Sequence, residues 1–233
     1  MIAAIPIIDE LVLFFQKHGW NILEATKQHI VLTVAAMLIA CVIAIPAGIA
    51  LSHTRQGWLS SAVMGVVSVV QPIPSLAFVA FVAVLFFLLG LPTIGWPVGL
   101  VALVAYALLP MLRNTFTGIQ QVDPNALEVA RGMGMTPAQI LFMVELPLSL
   151  PFIITGIRIS TVWTIGVATL VSLIGAGGLG DLIFQGLDTN HMDYVLAGAA
   201  PAAGLALLLD FALGGVEKIL VPRGLRERAQ RAK

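Results

Sequence analysis

The chain has 233 residues, and its twelve basic and twelve acidic side chains give a formal net charge of zero at pH 7. Hydrophobic residues make up 59% of the sequence and charged residues only 10%, whereas soluble domains carry about a quarter charged residues. This composition predicts an integral membrane protein in a lipid bilayer, and the balanced charge gives no overall basic character for binding nucleic acid. The single cysteine, Cys41, excludes an internal disulfide.

The N-terminal 27 residues precede the first long apolar stretch. The opening segment MIAAIPIIDELVLFF lacks the basic start and the small-residue cleavage site of a signal peptide. It is also too short to cross a bilayer and is interrupted by Asp9 and Glu10. We therefore expect residues 1–27 to form an N-terminal interfacial helix.

Several stretches are long and apolar enough to cross a membrane, which takes about 20 residues. Four of them are residues 30–51, 96–112, 148–174 and 194–216. A fifth stretch, residues 58–89, would extend about 48 Å as one helix, beyond a hydrocarbon core of about 30 Å. The prolines of its QPIPS sequence interrupt helical hydrogen bonding. This stretch is therefore either one broken crossing or two short ones.

The distribution of basic residues favours one crossing. Nine basic residues then fall on one side: Arg55, Arg113, Arg131, Lys218, Arg223, Arg226, Arg228, Arg231 and Lys233. Positive charge marks the cytoplasmic side. We expect five spans, an outside N-terminus, and a basic cytoplasmic tail over residues 217–233. Two crossings would separate Arg55 from the other eight, so six spans remain an alternative.

Residues 113–147 form a polar loop between two apolar spans. Asp123-Pro124 and Thr136-Pro137 each combine a helix cap with a proline at the first helical position, which predicts two short helices. Gly132 and Gly134 are expected to end the first of these helices. An ordinary connection is the alternative, but a structured loop of this length usually has a function. We expect a compact knob that fits a groove on another protein.

The spacing from Glu128 to Pro147 resembles the cytoplasmic coupling loop of bacterial ABC importer permeases, which docks onto a separate ATPase. Val129 replaces the usual middle alanine of that pattern, Val144 replaces an isoleucine, and Leu146-Pro147 is expected to close the second helix. The resemblance implies that eight residues contact the ATPase: Glu128, Val129, Ala130, Arg131, Gly132, Met133, Gly134 and Met135. The sequence has no GxxxxGK[ST] loop. We therefore expect no cofactor and no enzymatic activity in this chain, with ATP hydrolysed by a partner.

A broader resemblance covers residues 30–216. The segments QPIPSLA, LLPMLRNTFTGI and LIGAGGLGDLIFQGL are similar to permeases of osmoprotectant importers, which carry glycine betaine, choline or carnitine. It implies an all-α integral membrane fold, the type I ABC importer transmembrane domain, over residues 28–216. It also implies a bacterial cytoplasmic (inner) membrane location, two ATPase subunits, a second permease copy or paralogue, and an extracytoplasmic substrate-binding protein. An ABC permease for methionine or another amino acid is the first alternative, and an ATP-independent secondary transporter is the second.

Two charged residues lie deep within the predicted spans. Arg158 lies ten residues after Leu148, and Asp210 lies ten residues before Leu220 on the returning helix, so the two occupy similar depths. Ionisable groups within a membrane are usually paired. We expect an intramembrane ion pair between them.

A third group of residues is expected to line the translocation pathway. Unwound backbone inside a membrane tends to border a cavity, although a proline kink alone could serve packing. Tyr106 and Trp163 lie within spans, and aromatic rings bind quaternary ammonium groups through cation–π contacts. The candidate residues are Gln71, Pro72, Pro74, Ser75, Tyr106 and Trp163.

The GAGGLG sequence satisfies the GxGxxG dinucleotide fingerprint, which would suggest an oxidoreductase. It follows an apolar span of about 25 residues and not a short strand within a βαβ unit. We therefore interpret it as a glycine turn at the outer gate, formed by Gly175, Gly177, Gly178 and Gly180, with a simple connecting turn as the alternative. The four histidines have no metal-ligand spacing, and no metal is expected.

Overall fold

The structure, a computed structural model, describes the backbone of residues 5–221 and the side chains of residues 18–221. This part of the chain is helical and has no strand, as the all-α prediction requires. The helices are α1 (Ile5–Ser52), α2 (Gly57–Val70), α3 (Ser75–Leu88), α4 (Trp96–Gln120), α5 (Pro124–Gly132), α6 (Pro137–Ile140), α7 (Leu146–Leu170), α8 (Leu179–Thr189) and α9 (Met192–Leu220). A π-helical segment (Leu141–Glu145) precedes α7, and a 3-10 segment (Val171–Ile174) follows it.

The N-terminal helix passes through the predicted boundary at residue 27 without a break. The apolar part of α1 that qualifies as a span runs from His18 to Ser52, 35 residues against the 22 of residues 30–51. The interfacial position of the N-terminal segment stays a prediction, and the side chains before residue 18 lie outside the described part. Most of the basic tail, from residue 222 onward, also lies outside it.

The stretch over residues 58–89 is a bent pair of helices. α2 and α3 each have 14 residues, which corresponds to about 21 Å, less than the hydrocarbon thickness of about 30 Å. They meet at an angle of 113° across Gln71-Pro72-Ile73-Pro74. By length and composition, four described helices can each cross a membrane, or five spans result if the bent pair counts as one. This agrees with the five-span prediction.

The described chain divides into two compact units. The first comprises residues up to Leu38 together with Ile73–Tyr106 and Thr161–Leu208. Its buried core contains apolar side chains from α1, α3, α4 and the 3-10 segment, for example Leu32, Val79, Leu103 and Val171.

The second unit comprises Ile39–Pro72, Ala107–Ser160 and the chain from Leu209 onward. Within it, α4 and α7 pack closely through small residues. A Cβ atom at Gly156 would lie 2.8 Å from Asn114 Cβ, and the Ser160 hydroxyl donates a 2.8 Å hydrogen bond to the Ala107 carbonyl. Small residues and interhelical hydrogen bonds are typical of helix packing in membranes.

The helices on both sides of the polar loop are longer than predicted. α4 continues to Gln120, so the connection begins eight residues later than residue 113. The prediction that Leu146-Pro147 closes the second helix is wrong, because residues 137–174 form one continuous helical run. Proline lacks an N–H and clashes with the preceding turn of an α-helix. The π-helical turn, in which Leu146 N–H bonds to Leu141 O, widens the helix just before Pro147.

Candidate functional site

The polar segment, defined here as residues 121–145, connects α4 to α7. Both of its helices begin at the predicted caps. The Asp123 carboxylate accepts a 2.9 Å hydrogen bond from Asn125 N–H at the start of α5. At the start of α6, Thr136 N–H donates to Gln139 Oε1 over 2.8 Å, and Gln139 N–H donates to Thr136 Oγ1 over 3.3 Å. This reciprocal arrangement is a capping box and defines the second helix start.

The corner between α5 and α6 is a Schellman motif centred on Gly134. Met135 N–H donates to Ala130 O over 3.2 Å, and Gly134 N–H donates to Arg131 O over 2.9 Å, which is the paired pattern of that motif. Gly134 has φ of +76°, whereas Gly132 is the last residue of α5 and has no positive φ. A Cβ atom at Gly134 would meet nothing within 4 Å. Backbone conformation, and not crowding inside the permease, therefore requires glycine at this position.

Most of the eight residues expected to contact an ATPase are exposed. Val129 and Met133 expose 61% and 69% of their surface. Met133 is the C-cap residue of α5, one turn after Val129, so the two lie on the same side of the helix end. Glu128 and Arg131 are also exposed. Ala130 is buried, with 1% exposed, so it faces the permease interior. An exposed apolar pair flanked by charges has the composition of a protein docking surface.

The π-helical segment presents both exposed and buried side chains. Phe142 and Met143 each expose 66% of their surface. Glu145 is buried at 6% exposure, and its Oε2 lies 2.8 Å from Nε2 of His53, the first residue after α1. This contact was not predicted from the sequence, because the two residues are 92 positions apart and no local pattern relates them.

The structure brings Arg158 and Asp210 together, and it adds a second carboxylate. Arg158 Nη2 lies 2.9 Å from Asp210 Oδ1, and its Nη1 lies 2.8 Å from Glu217 Oε2. Gly214 lies beside the guanidinium, since a Cβ there would be 3.5 Å from Arg158 Cζ. Glu217 follows Asp210 by seven residues, two turns of α9, so helical periodicity could have identified it.

The proposed pathway residues fall in different places. Gln71, at the end of α2, accepts a 3.3 Å hydrogen bond from Arg113 Nη1. Pro74 precedes α3, and Ser75 is its first residue. Pro72 is exposed between the two helices.

Tyr106 and Trp163 are neighbours in the first unit. Their ring centroids lie 6.1 Å apart with planes tilted by 41°. Phe78 of α3, which was not among the predicted pathway residues, lies 5.8 Å from the Tyr106 ring. Trp163 remains 40% exposed. Three helices thus contribute one ring each to an aromatic cluster.

The GAGGLG glycines form a turn after the 3-10 segment. Gly175, Gly177 and Gly178 have positive φ angles, whereas Gly180 lies in α8 against the Thr169 carbonyl and the Ser172 hydroxyl. The turn borders a cavity of about 540 Å³, and Glu24, Lys27, Gln28, Val31 and Trp96 line its other side. A helix, and not a β-strand, leads into this turn, so the dinucleotide interpretation lacks its structural context.

Comparison with known sequences identifies the family. A profile described as binding-protein-dependent transport system inner membrane component matches residues 44–224. The carnitine transport permease protein OpuCB of Listeria monocytogenes is 47% identical over 220 residues, which cover 94% of this chain and 97% of that protein. The choline transport system permease protein OpuBB of Bacillus subtilis (strain 168) is 42% identical over 219 residues, with coverages of 94% and 97%.

A solved structure confirms the fold. The inward-facing MetNI methionine ABC transporter matches with a TM-score of 0.80, covering 88% of this chain and 99% of that one. Its sequence identity is 22%, so the likeness concerns the fold alone. The chain belongs to the inner membrane components of binding-protein-dependent transport systems, the permease family of ABC importers.

Proposed function

We propose that this permease moves quaternary amines such as glycine betaine, choline or carnitine into a bacterial cell, with energy from separate ATPase subunits. The observation that carries the substrate class is the 47% and 42% identity to permeases named for carnitine and choline, each over 94% of the chain. No comparable sequence likeness accompanies the MetNI fold, which is 22% identical.

The exposed face of α5 is the proposed contact with the ATPase. Glu128, Val129 and Arg131 project from this short helix, and Met133 is its C-cap residue. A side-chain cap at one end and a Schellman corner at the other hold the helix in place. Such a rigid helix can transmit a displacement without bending. Because α7 continues directly from the polar segment, movement of α5 would shift a membrane helix.

The remaining components belong to the same proposal. Two ATPase subunits bind two permease chains, either identical or paralogous, and the polar segment and C-terminus face the cytoplasm. Arg55, Arg113, Arg131 and Lys218 support this orientation through the positive-inside rule. The glycine turn and its cavity are assigned to the outer side of the membrane, where a substrate-binding protein would release its ligand.

The aromatic cluster of Phe78, Tyr106 and Trp163 is the proposed contact for the quaternary ammonium group during passage. A cation within about 6 Å of a ring centroid is attracted by the ring quadrupole. Transient contact suits a pathway, because tight binding would slow release. High-affinity recognition is assigned to the binding protein.

Reconstitution tests this function. The permease, its ATPase and its binding protein are placed in proteoliposomes, and uptake of labelled glycine betaine, choline, carnitine and methionine is measured. We expect ATP-dependent uptake of at least one quaternary amine and none of methionine. Uptake that persists without ATP and collapses with an ionophore would instead identify a secondary transporter.

A further inference from the structure

We propose that His53 and Glu145 form a clasp that ties the end of α1 to the polar segment, and that this clasp positions the segment for coupling to ATP hydrolysis. The inference rests on the proposed function. His53 immediately follows α1, and Glu145 is the last residue of the π-helical segment. The two side chains meet at 2.8 Å between Nε2 and Oε2. They are assigned a positioning role, because they act through the placement of the polar segment against the end of α1.

Burial makes this contact energetically important. The Glu145 side chain is 9% exposed and that of His53 is 45% exposed. A buried carboxylate without a hydrogen-bonding partner is costly. Any movement that separates the polar segment from the end of α1 would therefore leave the buried Glu145 carboxylate without its hydrogen-bonding partner. This cost favours joint movement of the two elements.

The imidazole geometry shows that the clasp needs two protons. His53 Nδ1 lies 3.0 Å from the Ile49 carbonyl oxygen, which accepts only, while Nε2 faces the Glu145 carboxylate. Both contacts are hydrogen bonds if the ring is an imidazolium. They are also hydrogen bonds if a neutral ring donates from Nδ1 and a protonated Glu145 donates to Nε2. Both arrangements hold the same two protons, and in both the ring is fixed against α1.

The π-helical turn directs Glu145 towards this contact. Relative to an α-helix, one π turn inserts one residue and so rotates the residues after it by about 100° about the helix axis. A return to regular α-helix would change the direction of Glu145 relative to α6. The clasp and the π register therefore stabilise each other. Single-turn π bulges of this kind are frequent at functional sites.

The clasp supplies a second route for movement of α5. α5 contacts both α6 and the π-helical segment, and the π-helical segment continues covalently into α7. Covalent continuity passes a displacement of α5 to α7. With the clasp intact, the same displacement also reaches α1 through Glu145 and His53.

Two pairs of matched variants test the clasp in the reconstituted importer. His53→Gln keeps an N–H donor close to the position of Nε2, whereas His53→Leu removes it. Glu145→Gln keeps an acceptor, whereas Glu145→Leu does not.

The measured quantity is ATP hydrolysed per solute imported. We expect both leucine variants to raise this ratio by about tenfold, the effect of losing one hydrogen bond to a charged group. The glutamine variants should stay within about threefold of the native ratio, and the double leucine variant should be no worse than either single one.

A merely structural pair would give a different result. Uptake and ATP hydrolysis would then fall together, in proportion to the amount of assembled complex, and the ratio would not change. An unchanged ratio, or failure of His53→Gln to retain coupling, overturns the inference.

Hydrogen exchange provides a measurement that does not need transport. In the intact complex, amides of residues 141–146 should exchange faster in His53→Leu than in native protein or His53→Gln. Equal exchange in all three overturns the clasp even if no quaternary amine is transported. Failure of the native complex to import any tested amine would instead contradict the proposed function. The hydrogen-exchange comparison would then still test the His53–Glu145 contact.

Discussion

Asp210 of α9 receives hydrogen bonds from two nitrogens of Arg158 on α7, from Nε at 3.0 Å and from Nη2 at 2.9 Å. This is the two-point geometry that makes arginine–carboxylate pairs directional. The pair fixes the rotation of α9 against α7, and Glu217 adds a third attachment two turns further along. One cation thus faces two carboxylates, and the cluster carries an excess negative charge.

This excess negative charge limits how far a charge swap between Arg158 and Asp210 can restore stability and uptake. Arg158→Asp or Asp210→Ala should each destabilise the permease by about 1–3 kcal/mol. The first leaves two carboxylates in a partly buried site without their cation, and the second leaves the guanidinium with Glu217 alone. The double variant Arg158→Asp/Asp210→Arg restores one pair but places the new carboxylate on α7 near Glu217. We expect only partial recovery of thermal stability and uptake, and fuller recovery when Glu217→Gln is added. Lys218→Ala, on an exposed part of the same helix, is the control and should change neither quantity.

Backbone conformation predicts unequal effects at the two glycines of the α5 corner. Gly134→Val forces a β-branched residue into the left-handed region, at a cost of about 1–2 kcal/mol. It should weaken ATPase binding in a pull-down and raise the ATP consumed per solute. Gly134→Asn should retain more activity, since asparagine tolerates that region. Gly132→Ala is the matched control, because this residue is helical and has open space around it. A larger defect at Gly132 than at Gly134 would mean that close approach of the partner, and not the corner, governs the site.

The exposed carboxylate of Glu128 on α5 should affect the coupling of ATP hydrolysis to uptake but not the stability of the permease. Glu128→Lys reverses a charge on the proposed docking face, where the side chain is exposed. We expect normal membrane insertion and thermal stability but a loss of uptake of more than about tenfold, because reversing a charge within an interface replaces electrostatic complementarity by repulsion, which costs several kcal/mol. Ala138→Lys, at an exposed position of α6 outside the eight docking residues, is the control. Equal uptake by the native and Glu128→Lys proteins would remove α5 as the point of coupling.

Local chemistry in the sequence predicted the helix starts, and two charges at similar depth in the spans predicted the Arg158–Asp210 pair. The His53–Glu145 contact had no such sign in the sequence. The side chains of Asp123 and Thr136 cap their helices by accepting hydrogen bonds from residues less than four positions later. The glycine at position 134 is explained by the positive φ that the helix end requires. The His53–Glu145 contact depends on how helices far apart in the chain pack. Neither a hydrophobic periodicity nor a sequence motif indicates that these two helical segments pack together.

The erroneous helix end at Leu146-Pro147 has a different cause. Proline usually interrupts an α-helix, and the predicted end was based on that rule. Nothing in the local sequence indicates that a π-helical turn accommodates Pro147 and keeps the helix continuous. Polar residues in the same region produced a second error, because α4 extends through them to Gln120. Tertiary packing commonly overrides such local preferences.

The aromatic cluster allows a test of whether the permease recognises the positive charge of its solute or only the solute's shape. If Trp163 contacts a quaternary ammonium group, Trp163→Leu should reduce choline uptake by about two- to thirtyfold, because a cation–π contact contributes about 0.5–2 kcal/mol. Trp163→Phe should retain part of the uptake, since the attraction is strongest for tryptophan but is also present for phenylalanine. The reconstituted native importer should also be inhibited more by choline than by its neutral analogue with carbon in place of nitrogen. The binding protein could by itself prefer the cation to its neutral analogue. The preference of uptake inhibition for choline is therefore compared between native and Trp163→Leu permease with the same binding protein.

Trp58→Leu serves as the control, since Trp58 is 69% exposed and lies outside the cluster. An equal loss of uptake in both variants, with an unchanged preference for the cation, would assign Trp163 to packing and remove it from the pathway.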